Sequence, residues 1–489
     1  MTYQNSPLYR ILNPKSICVM GASNKLYRMG TVALLNIVGT GFKGPTYIVH
    51  PNDVRIQNFQ VWADFHDLPE TPDLLVLAIP TRVVPHVLER AGQRGIKHAV
   101  IITAGYNEIG HEGKQLQKSI DDIVSRYDMH YIGPNCIGFV NTRLSINTTP
   151  FPFEGRNGGI GFASHSGSYV CHVFSLLEDL DMGIAEMISM GNEANLDVVD
   201  ALNYFGGHPQ VKVVGLYLEG IRRPEEFRMA ARALAREKPV VALYAGNTAE
   251  GARSAASHTA AVSTSGKLMK GFLKQCGIIQ AHTVNELYNW LNAFERLPLP
   301  RGRRVAVLSN SGGPATSTAD HIGQSDLELA KFSPQELDSL QKLMPHTGSC
   351  QNPIDLTFSS DLSIFSEKLP RLLSQSREND AILLYGLFGA DLFNRVVERA
   401  KNRDPKRREW RTAQMEESVA EAMANSLKNC AKPVLGSSFN IRGDKSIRKL
   451  MRNGNIPFYD GPEQAVQAVE AMWRYSRIRE WLRHKKMEV

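Results

Sequence analysis

Short apolar runs rich in valine, isoleucine and leucine alternate with amphipathic helical patterns along most of the chain. In residues 1–145, the runs that predict strands are SICVMG, TYIVHP, LLVLAIP, HAVIITAG and MHYIGP. The helical patterns between them include VVPHVLERAGQRG and GKQLQKSIDDIVSRY. Continuous apolar strands separated by helices are typical of a parallel sheet that is covered on both faces. The pattern therefore predicts a doubly wound α/β fold.

The alternation continues beyond residue 145 and divides the chain further. Strands are predicted in the later segments VKVVGLYLEG, KPVVALYAG, RVAVLSNSGG, AILLYGLF and KPVLGSS. The segment RLPLPRG, rich in proline and glycine, is typical of a linker. A chain of 489 residues has room for three domains of about 100–200 residues each. We therefore expect three doubly wound parallel-sheet domains of the Rossmann or flavodoxin type in tandem, at residues 1–145, 146–296 and 302–489.

Glycines follow the first predicted strand, in the segment GASNKLYRMG. Gly21 permits a tight turn and Gly30 lies near the start of a helix, where main-chain amides can hold a phosphate group. The segment is not GxGxxG, and the second strand runs into His50, Pro51 and Asn52 rather than into an acidic residue. These features favour an adenine nucleotide other than a nicotinamide cofactor.

A second group of small polar residues follows a strand in the segment IGFASHSG. Ser164, Ser166 and Gly167 lie where this strand turns into a helix, so hydroxyls and amides converge there. Such a turn can hold phosphate or an oxyanion, although the same short pattern also fits an ordinary helix N-cap. Glu219 ends the strand VKVVGLYLEG, on the edge where functional groups gather in this fold class.

One histidine, His258, lies in the small-residue segment GNTAEGARSAASHTAAVSTSGK between a predicted strand and the helix KLMKGFLKQCG. Small residues bury little surface, so a mobile loop or a frayed helix is expected. Parallel pairing of KPVVALYAG with VKVVGLYLEG would start this loop at the same edge as Ser164 and Glu219. A carboxylate bonded to one imidazole nitrogen leaves the other nucleophilic. His258 is therefore either a solvated loop histidine or a phosphoryl acceptor.

A family resemblance accounts for many of these segments together. The chain carries, in order, GAS, AIP, ITAGYNEIG, GPNCIG, SHSG, SMGNEANLD, LYLEGI, KPVVALYAG and SHTAAV. The third domain adds SNSGGP, NPIDLT and IPFYDGPEQAVQAV. This order resembles the NDP-forming acyl-CoA synthetases, specifically the α subunit of the ADP-forming acetyl-CoA synthetases, and more distantly the succinyl-CoA synthetase α subunit. The resemblance covers nearly the whole chain.

The resemblance implies a function and partners. It predicts a CoA-binding first domain and a ligase domain that carries a phosphohistidine loop, with free acid, CoA and phosphate as ligands. Acyl-CoA, ADP and phosphate would be interconverted with acid, CoA and ATP through acyl phosphate and phosphohistidine. ADP or ATP, with magnesium, would bind an ATP-grasp β subunit supplied in trans, because no segment here resembles that domain. A homodimer or an α2β2 assembly is expected.

Roles for individual residues follow from the same resemblance. His258 is expected to be phosphorylated and Glu219 to orient it. The residues expected at phosphate or acyl phosphate are Ser164, Ser166, Gly167, Asn135, Cys136, Gly191 and Asn192. Those expected at CoA are Gly21, Ala22, Ser23, Gly30, Pro51, Ile79, Pro80 and Thr103. No metal ligand is expected in this chain.

Three positions depart from the family pattern. Ala260 replaces the glycine of SHTGA, Tyr244 replaces the lysine of KAG, and His165 replaces the glutamine of SQSG. Loss of the lysine would weaken binding of an anionic substrate, and the alanine would stiffen the loop. A CoA- or acyl-CoA-binding protein without phosphoryl transfer is therefore an alternative. An NAD-dependent oxidoreductase is a third possibility, resting only on the Rossmann-like first domain.

Charge and composition restrict the partners. The formal charge of +7 and the pI near 9.0 suit anionic ligands such as CoA and a nucleotide, and no nucleic-acid motif is present. The charged stretch 394–428 is either a solvated helix pair or a docking surface for the β subunit. Six cysteines without CxxC spacing indicate neither a zinc site nor disulfides. Without a membrane-length apolar run or a signal-peptide pattern, a cytoplasmic protein is expected.

Overall fold

The computed structural model describes residues 3–52, 54–248, 250, 251, 253, 266–357, 361–386, 399, 412–439, 441 and 445–484. Two compact units divide the chain. The first unit comprises Met1–Glu178, Met182–Leu287 and Leu482–Val489, and the second comprises Asp179–Asp181 and Tyr288–Trp481. Two of the three main sheets lie in the first unit and the third lies in the second.

The first sheet has five parallel strands in the order β2-β1-β5-β6-β7. They are β1 Ile17–Met20, β2 Thr46–Val49, β5 Leu74–Leu77, β6 His98–Ile101 and β7 His130–Ile132, and a separate hairpin pairs β3 Arg55–Ile56 with β4 Phe59–Gln60. The helices are α1 Pro7–Leu12, α2 Met29–Gly39, α3 Val84–Gln93 and α4 His111–Tyr127. The chain leaves β1 toward β2 and returns on the other side to β5. A topological switch point therefore lies between β1 and β5.

The second sheet has seven strands in the order β14-β13-β12-β10-β11-β8-β9. They are β8 Phe139–Asn141, β9 Ile146–Asn147, β10 Arg156–Ser164, β11 Gly183–Ser189, β12 Val213–Leu218, β13 Val240–Tyr244 and β14 Ile279–Ala281. The helices are α5 Ser168–Cys171, α6 Phe174–Asp179, α7 Val198–Gly207, α8 Pro224–Ala235, α9 Gly266–Gln275 and α10 Val284–Arg296. The switch point lies between β10 and β12. Strand β8 belongs to this sheet and pairs antiparallel with β11, although the predicted first domain extends to residue 145.

The third sheet has six strands in the order β16-β15-β18-β19-β20, with β17 also paired to β15. They are β15 Arg304–Ser309, β16 Glu328–Leu329, β17 Ile354–Asp355, β18 Ala381–Tyr385, β19 Val434–Ser437 and β20 Phe458–Tyr459. The helices are α11 Gly312–Gly323, α12 Pro334–Gln341, α13 Leu369–Gln375, α14 Thr412–Leu427, α15 Lys445–Asn453 and α16 Pro462–His484. A π-helical turn at Ile364–Lys368 precedes α13.

The apolar strand segments are buried on both faces, as the sequence pattern predicts. Strands β5, β12 and β13 are buried at every position. Helices cover both faces of such strands because each strand would otherwise expose an apolar side chain at every residue. The α/β fold class with mostly parallel sheets is therefore confirmed, whereas the domain bounds remain predictions. None of the helices in the described ranges combines the length and apolar character needed to cross a membrane.

The second and third sheets repeat one design. Strands β11-β10-β12-β13-β14 and β16-β15-β18-β19-β20 follow the same chain order. Lys238 precedes β13 and donates to two carbonyls near the end of α7, and Lys432 precedes β19 and donates to two carbonyls near the end of α13. Ser164 ends β10 and Ser309 ends β15, the first strand of each repeated five-strand unit. The repeat gives each serine an equivalent position at a switch point.

Candidate functional site

A cavity of about 630 Å³ opens at the carboxyl end of the first sheet. It lies at the switch point between β1 and β5, where open parallel sheets bind their ligands. Six of the eight residues predicted to bind CoA line it: Gly21, Ala22, Ser23, Pro51, Ile79 and Pro80. Thr103 supports this wall, because its hydroxyl donates to the carbonyl of Ile79 at 2.7 Å. The last of the eight, Gly30, is the second residue of α2, behind the glycine turn.

Gly21 and Gly30 permit three backbone segments to pack closely at the cavity. Gly21 has a φ of +101°, and a Cβ placed there would lie 2.1 Å from the carbonyl oxygen of Ala78. A Cβ on Gly30 would lie 2.5 Å from the carbonyl carbon of Gly21. The turn is also fixed by Thr31, whose hydroxyl accepts from the Ser23 amide and donates to its carbonyl, each at 2.9 Å. The loop is therefore fixed before any ligand arrives.

Basic side chains line the cavity and suit an anionic ligand. Arg28, His50, His86 and Arg90 all contribute to its wall. Of these, Arg28, His86 and Arg90 were not predicted from the sequence to lie at a site. His86 and Arg90 lie four residues apart on α3 and so face the same side of the helix. The four-residue spacing of His86 and Arg90 could have indicated a basic helix face from the sequence alone.

Asp64 supplies a negative charge in the same wall. Its carboxylate pairs with the guanidinium of Arg90 and accepts hydrogen bonds from the main-chain and ring nitrogens of His66. Burial raises the pKa of Asp64, but these hydrogen bonds and the Arg90 charge outweigh it and lower the pKa to about 2. The pair therefore stays ionised and restrains Arg90 at the cavity.

The register of the second sheet brings the predicted phosphate residues to one edge. Ser164 is directly opposite Tyr217 in the parallel pair β10–β12, and Leu218 is opposite Tyr244 in β12–β13. Glu219 follows β12, so it shares this edge with Ser164 and with the start of the segment that carries His258. The predicted common edge is thus confirmed. His258 itself, like Ala260, lies outside the described residues.

Ser164 closes its own turn. Its hydroxyl donates to the Ser166 carbonyl at 2.6 Å and accepts from the Ser166 amide at 3.1 Å. Ser164 is completely buried, so its hydroxyl holds the turn in shape rather than reaching outward. Ser309 makes the same two bonds with Ser311, at 2.7 and 3.0 Å. In both turns the main-chain N–H of the second serine is already hydrogen-bonded within the turn. A ligand would therefore be bound by the main-chain N–H groups that follow it.

The turns at residues 133–136 and 190–193 pack against each other. A Cβ on Gly191 would lie 2.4 Å from the carbonyl oxygen of Pro134, and Asn135 donates its side-chain amide to Asn192 at 3.2 Å. The structure thus joins three of the predicted positions, Asn135, Gly191 and Asn192. Cys136 turns inward, where its thiol contacts the carbonyl of Ile101 and burial raises the pKa of Cys136 to about 12. Its side chain is a neutral core group.

Glu108, in the segment ITAGYNEIG, links the loop after β6 to these turns. Its carboxylate accepts from the amides of Gly105 at 2.6 Å and Tyr106 at 3.1 Å, and from the side chain of Asn192 at 2.5 Å. Arg222 donates to the Asn192 carbonyl at 2.6 Å. Glu108 carries no role predicted from the sequence. Two of its donors are local, but Asn192 lies 84 residues away along the chain, so no local pattern reveals that contact.

Replacing Glu108 by glutamine should lower the free energy of unfolding by about 1–3 kcal/mol, because an amide cannot accept from all three donors. Glu112→Gln is the matched control, since the Glu112–Arg82 pair is exposed and such pairs contribute about 0–1 kcal/mol. Thermal melting of the two variants and the wild type measures the difference. Equal shifts for both variants would contradict the role given to Glu108.

Glu219 is embedded in polar and aromatic contacts. Its side chain is nearly buried and hydrogen-bonds with the hydroxyl of Tyr217. Burial and the Glu219 charge raise the pKa of Tyr217, so this hydroxyl stays protonated and can donate. Tyr169 stacks on Tyr217 with ring centroids 4.0 Å apart. Tyr244, which replaces the family's lysine, is the buried last residue of β13.

Comparison with protein families assigns both halves of the first unit. Residues 15–142 match the family described as "CoA binding domain", and residues 157–294 match "Succinyl-CoA ligase like flavodoxin domain". The first match contains the 630 Å³ cavity. The second contains Ser164 and Glu219.

Two curated relatives align with nearly the whole chain. The acetate–CoA ligase [ADP-forming] II subunit alpha of Pyrococcus furiosus is 31% identical over 94% of this chain and 96% of its own length. The 4-hydroxybutyrate–CoA ligase [ADP-forming] of Nitrosopumilus maritimus is 30% identical over 95% of this chain but only 64% of its own length. This chain therefore matches an α subunit from end to end and spans about two thirds of the longer relative.

A solved structure shares the fold. The dinucleotide-forming acetyl-coenzyme A synthetase 1 of Ca. Korarchaeum cryptofilum, in complex with phosphate and ADP, superposes with a TM-score of 0.85 at 27% identity. The match covers 97% of this chain and 98% of that one. All three sheets thus have counterparts in a known architecture.

Proposed function

Because the chain belongs to the family of ADP-forming acyl-CoA synthetase α subunits, we propose that it is the α-type subunit of such an enzyme. The enzyme interconverts acyl-CoA, ADP and phosphate with free acid, CoA and ATP. The observation that carries the proposal is the placement of two features in one compact unit: a basic cavity at the first switch point, and Ser164 and Glu219 at the second.

CoA is the ligand proposed for the cavity of the first sheet. Arg28, His86 and Arg90 supply positive charge for its phosphates, and Gly21 lets the main chain approach closely. The apolar wall formed by Ile79 and Pro80 suits the uncharged part of the ligand. The volume lies within the range of about 300–1,000 Å³ that is usual for small-molecule sites.

The edge of the second sheet is proposed for phosphate and the acyl group. A phosphate oxygen attacks the thioester carbonyl, the C–S bond breaks, and CoA leaves as acyl phosphate forms. The imidazole of His258 then attacks phosphorus, the bond to the acyl oxygen breaks, and the free acid leaves as its carboxylate. Glu219 orients the ring by accepting its other N–H, which keeps the attacking nitrogen unprotonated. The phosphoryl group finally passes from His258 to ADP.

A separate β subunit with an ATP-grasp fold is proposed to hold ADP or ATP with magnesium. The match covers 96% of the α subunit of Pyrococcus furiosus, whereas about a third of the 4-hydroxybutyrate–CoA ligase lies outside its match to this chain. The residues assigned by resemblance to CoA and phosphate, the homodimeric or α2β2 assembly, and the cytoplasmic location are parts of the same proposal.

Reconstitution with the β subunit tests the proposed function. The two chains and ATP labelled at its γ-phosphate are expected to label His258 in the α chain. Adding CoA and an organic acid together should discharge the label and form acyl-CoA. Omission of either chain should abolish it.

A CoA- or acyl-CoA-binding protein without phosphoryl transfer is the competing function, motivated by the buried Tyr244 in place of a lysine. Saturable CoA binding without label at any histidine, beside a β subunit that is active with another α chain, would establish this alternative. Binding of NAD instead of CoA would overturn both the synthetase function and the CoA-binding alternative.

A further inference from the structure

His165 lies at the centre of the polar edge, between two glutamates. It follows Ser164 in the serine turn, and its side chain is only 7% exposed. Its Nδ1 accepts the main-chain N–H of Glu219 at 3.0 Å. Its Nε2 lies 3.0 Å from Oε1 of Glu193, whose side chain is 4% exposed. The ring thus spans the gap between the two acidic residues.

These contacts define the protonation state of the ring. Because Nδ1 accepts an N–H, the proton of the neutral imidazole resides on Nε2, beside Glu193. The two atoms are within hydrogen-bond distance but lack the alignment of a good hydrogen bond, and protonation of the ring would add charge attraction to Glu193. A second proton on Nδ1 would face the Glu219 N–H, and two donors cannot bond to each other. The Nδ1–Glu219 bond therefore exists only with a neutral ring.

We propose that His165 is a positioning residue that holds Glu219 while its imidazole is neutral and releases it on protonation, which makes phosphoryl transfer sensitive to pH. This inference rests on the proposed function. His165 itself touches neither substrate nor phosphoryl group in this scheme. Its effect passes through the main chain of Glu219, the residue proposed to orient His258.

The charged surroundings favour protonation of the ring. Burial lowers the pKa of His165, but the charges of Glu193 and then Glu219 outweigh burial, and Arg222 opposes them only weakly. The pKa of His165 therefore lies above its ordinary value of about 6.5. Tyr217, on the neighbouring strand, stays neutral because its pKa is raised.

The direction of the pH effect follows. A raised pKa means that the ring binds its second proton at a higher pH than an ordinary histidine would. Below that pKa, the Glu219 N–H loses its acceptor. Activity should therefore fall as the pH drops through the pKa of His165, at a higher pH than the titration of an ordinary histidine would give.

The third sheet suggests the most informative substitution. In the equivalent turn, Ser309–Gly312, Asn310 occupies the position of His165. Its main-chain N–H donates to the carbonyl of Tyr385, as the main-chain N–H of His165 donates to the carbonyl of Tyr217. Asparagine is therefore compatible with this backbone. Its Oδ1 takes approximately the place of Nδ1, so His165→Asn keeps an acceptor for the Glu219 N–H but cannot gain a proton.

The experiment measures kcat and the KM for CoA across the acid and neutral pH range, for the complete α–β enzyme. His165→Asn should retain kcat within about threefold at alkaline pH and move the acid limb of the profile to lower pH. His165→Ala should lower kcat about tenfold or more at alkaline pH, where the wild-type ring is neutral and accepts the Glu219 N–H, with little change in the KM for CoA. His172→Gln, at an exposed histidine of the same segment, should behave as wild type.

Different failures have different meanings. An active His165→Asn enzyme with an unshifted acid limb would overturn this inference and leave the proposed function intact. A wild-type enzyme without CoA-dependent ATP formation at any pH would overturn the proposed function, and this inference with it. Thermal melting of each variant at the alkaline end identifies loss of folding, and a folded His165→Ala enzyme with unchanged kcat would also overturn the inference.

Discussion

Replacing His258 by alanine is expected to abolish ATP formation from acyl-CoA, ADP and phosphate, lowering kcat by about 10⁴-fold or more. The reason is chemical: without the imidazole no covalent phosphoryl intermediate forms, and losses of this size are typical when a nucleophile is removed. The assay is CoA-dependent ATP formation by the reconstituted α–β enzyme. The label transferred from ATP to the α chain should disappear together with activity.

A partial reaction separates this mechanism from a general loss of function. Conversion of acyl-CoA and phosphate to acyl phosphate and CoA precedes the histidine step, so His258→Ala should retain it. His282→Ala is the control, because His282 is an exposed histidine beyond α9. Retention of full ATP formation by His258→Ala, or transfer of the label to another residue, would show that His258 is not the carrier.

Replacing Gly30 by alanine is expected to destabilise the protein by about 1–3 kcal/mol and to weaken CoA binding about tenfold or more. The added methyl group would lie 2.5 Å from the Gly21 carbonyl carbon and 2.8 Å from the Ala22 amide nitrogen. Both contacts are with main chain that has no room to retreat, since Gly21 already abuts Ala78. The cavity wall must therefore shift.

Gly39→Ala is the matched control in the same helix. A Cβ at Gly39 meets nothing within 4 Å, and alanine favours a helix over glycine by about 0.5–1 kcal/mol. It should leave CoA affinity unchanged and stability unchanged or slightly higher. Calorimetric titration with CoA and thermal melting of both variants provide the comparison. Equal CoA affinity in the Gly30 and Gly39 variants would contradict the placement of CoA in this cavity.

The fold was largely predictable from the sequence because most strands and helices are recognisable from the apolar pattern of their own residues. Strands such as β5 Leu74–Leu77 are apolar at each position, and helices such as α3 and α4 show the spacing of one buried face. Strand β8 Phe139–Asn141 was not predicted. It is three residues long and pairs antiparallel with β11, so its identity depends on a partner far along the chain rather than on its own composition.

The candidate site was predictable only to the level of the main chain. Ser164 and Glu219 could be placed at one edge because strand ends in a parallel sheet share a side. The bond from the Glu219 amide to His165 and the contact of Glu108 with Asn192 could not be predicted. Each depends on the direction of side chains in turns, which tertiary packing decides. His165 was noted only as a departure from SQSG.

The serine turn is held in shape by its own residues, because the hydrogen bonds that close it join its first and third residues. It occurs on two sheets of one chain, once as SHSG and once as SNSG. The same four-residue turn thus forms in two different sheets, and converting SHSG into SNSG changes only the residue at position 165. The chain already contains a non-titrating counterpart of the turn that we propose to respond to protons.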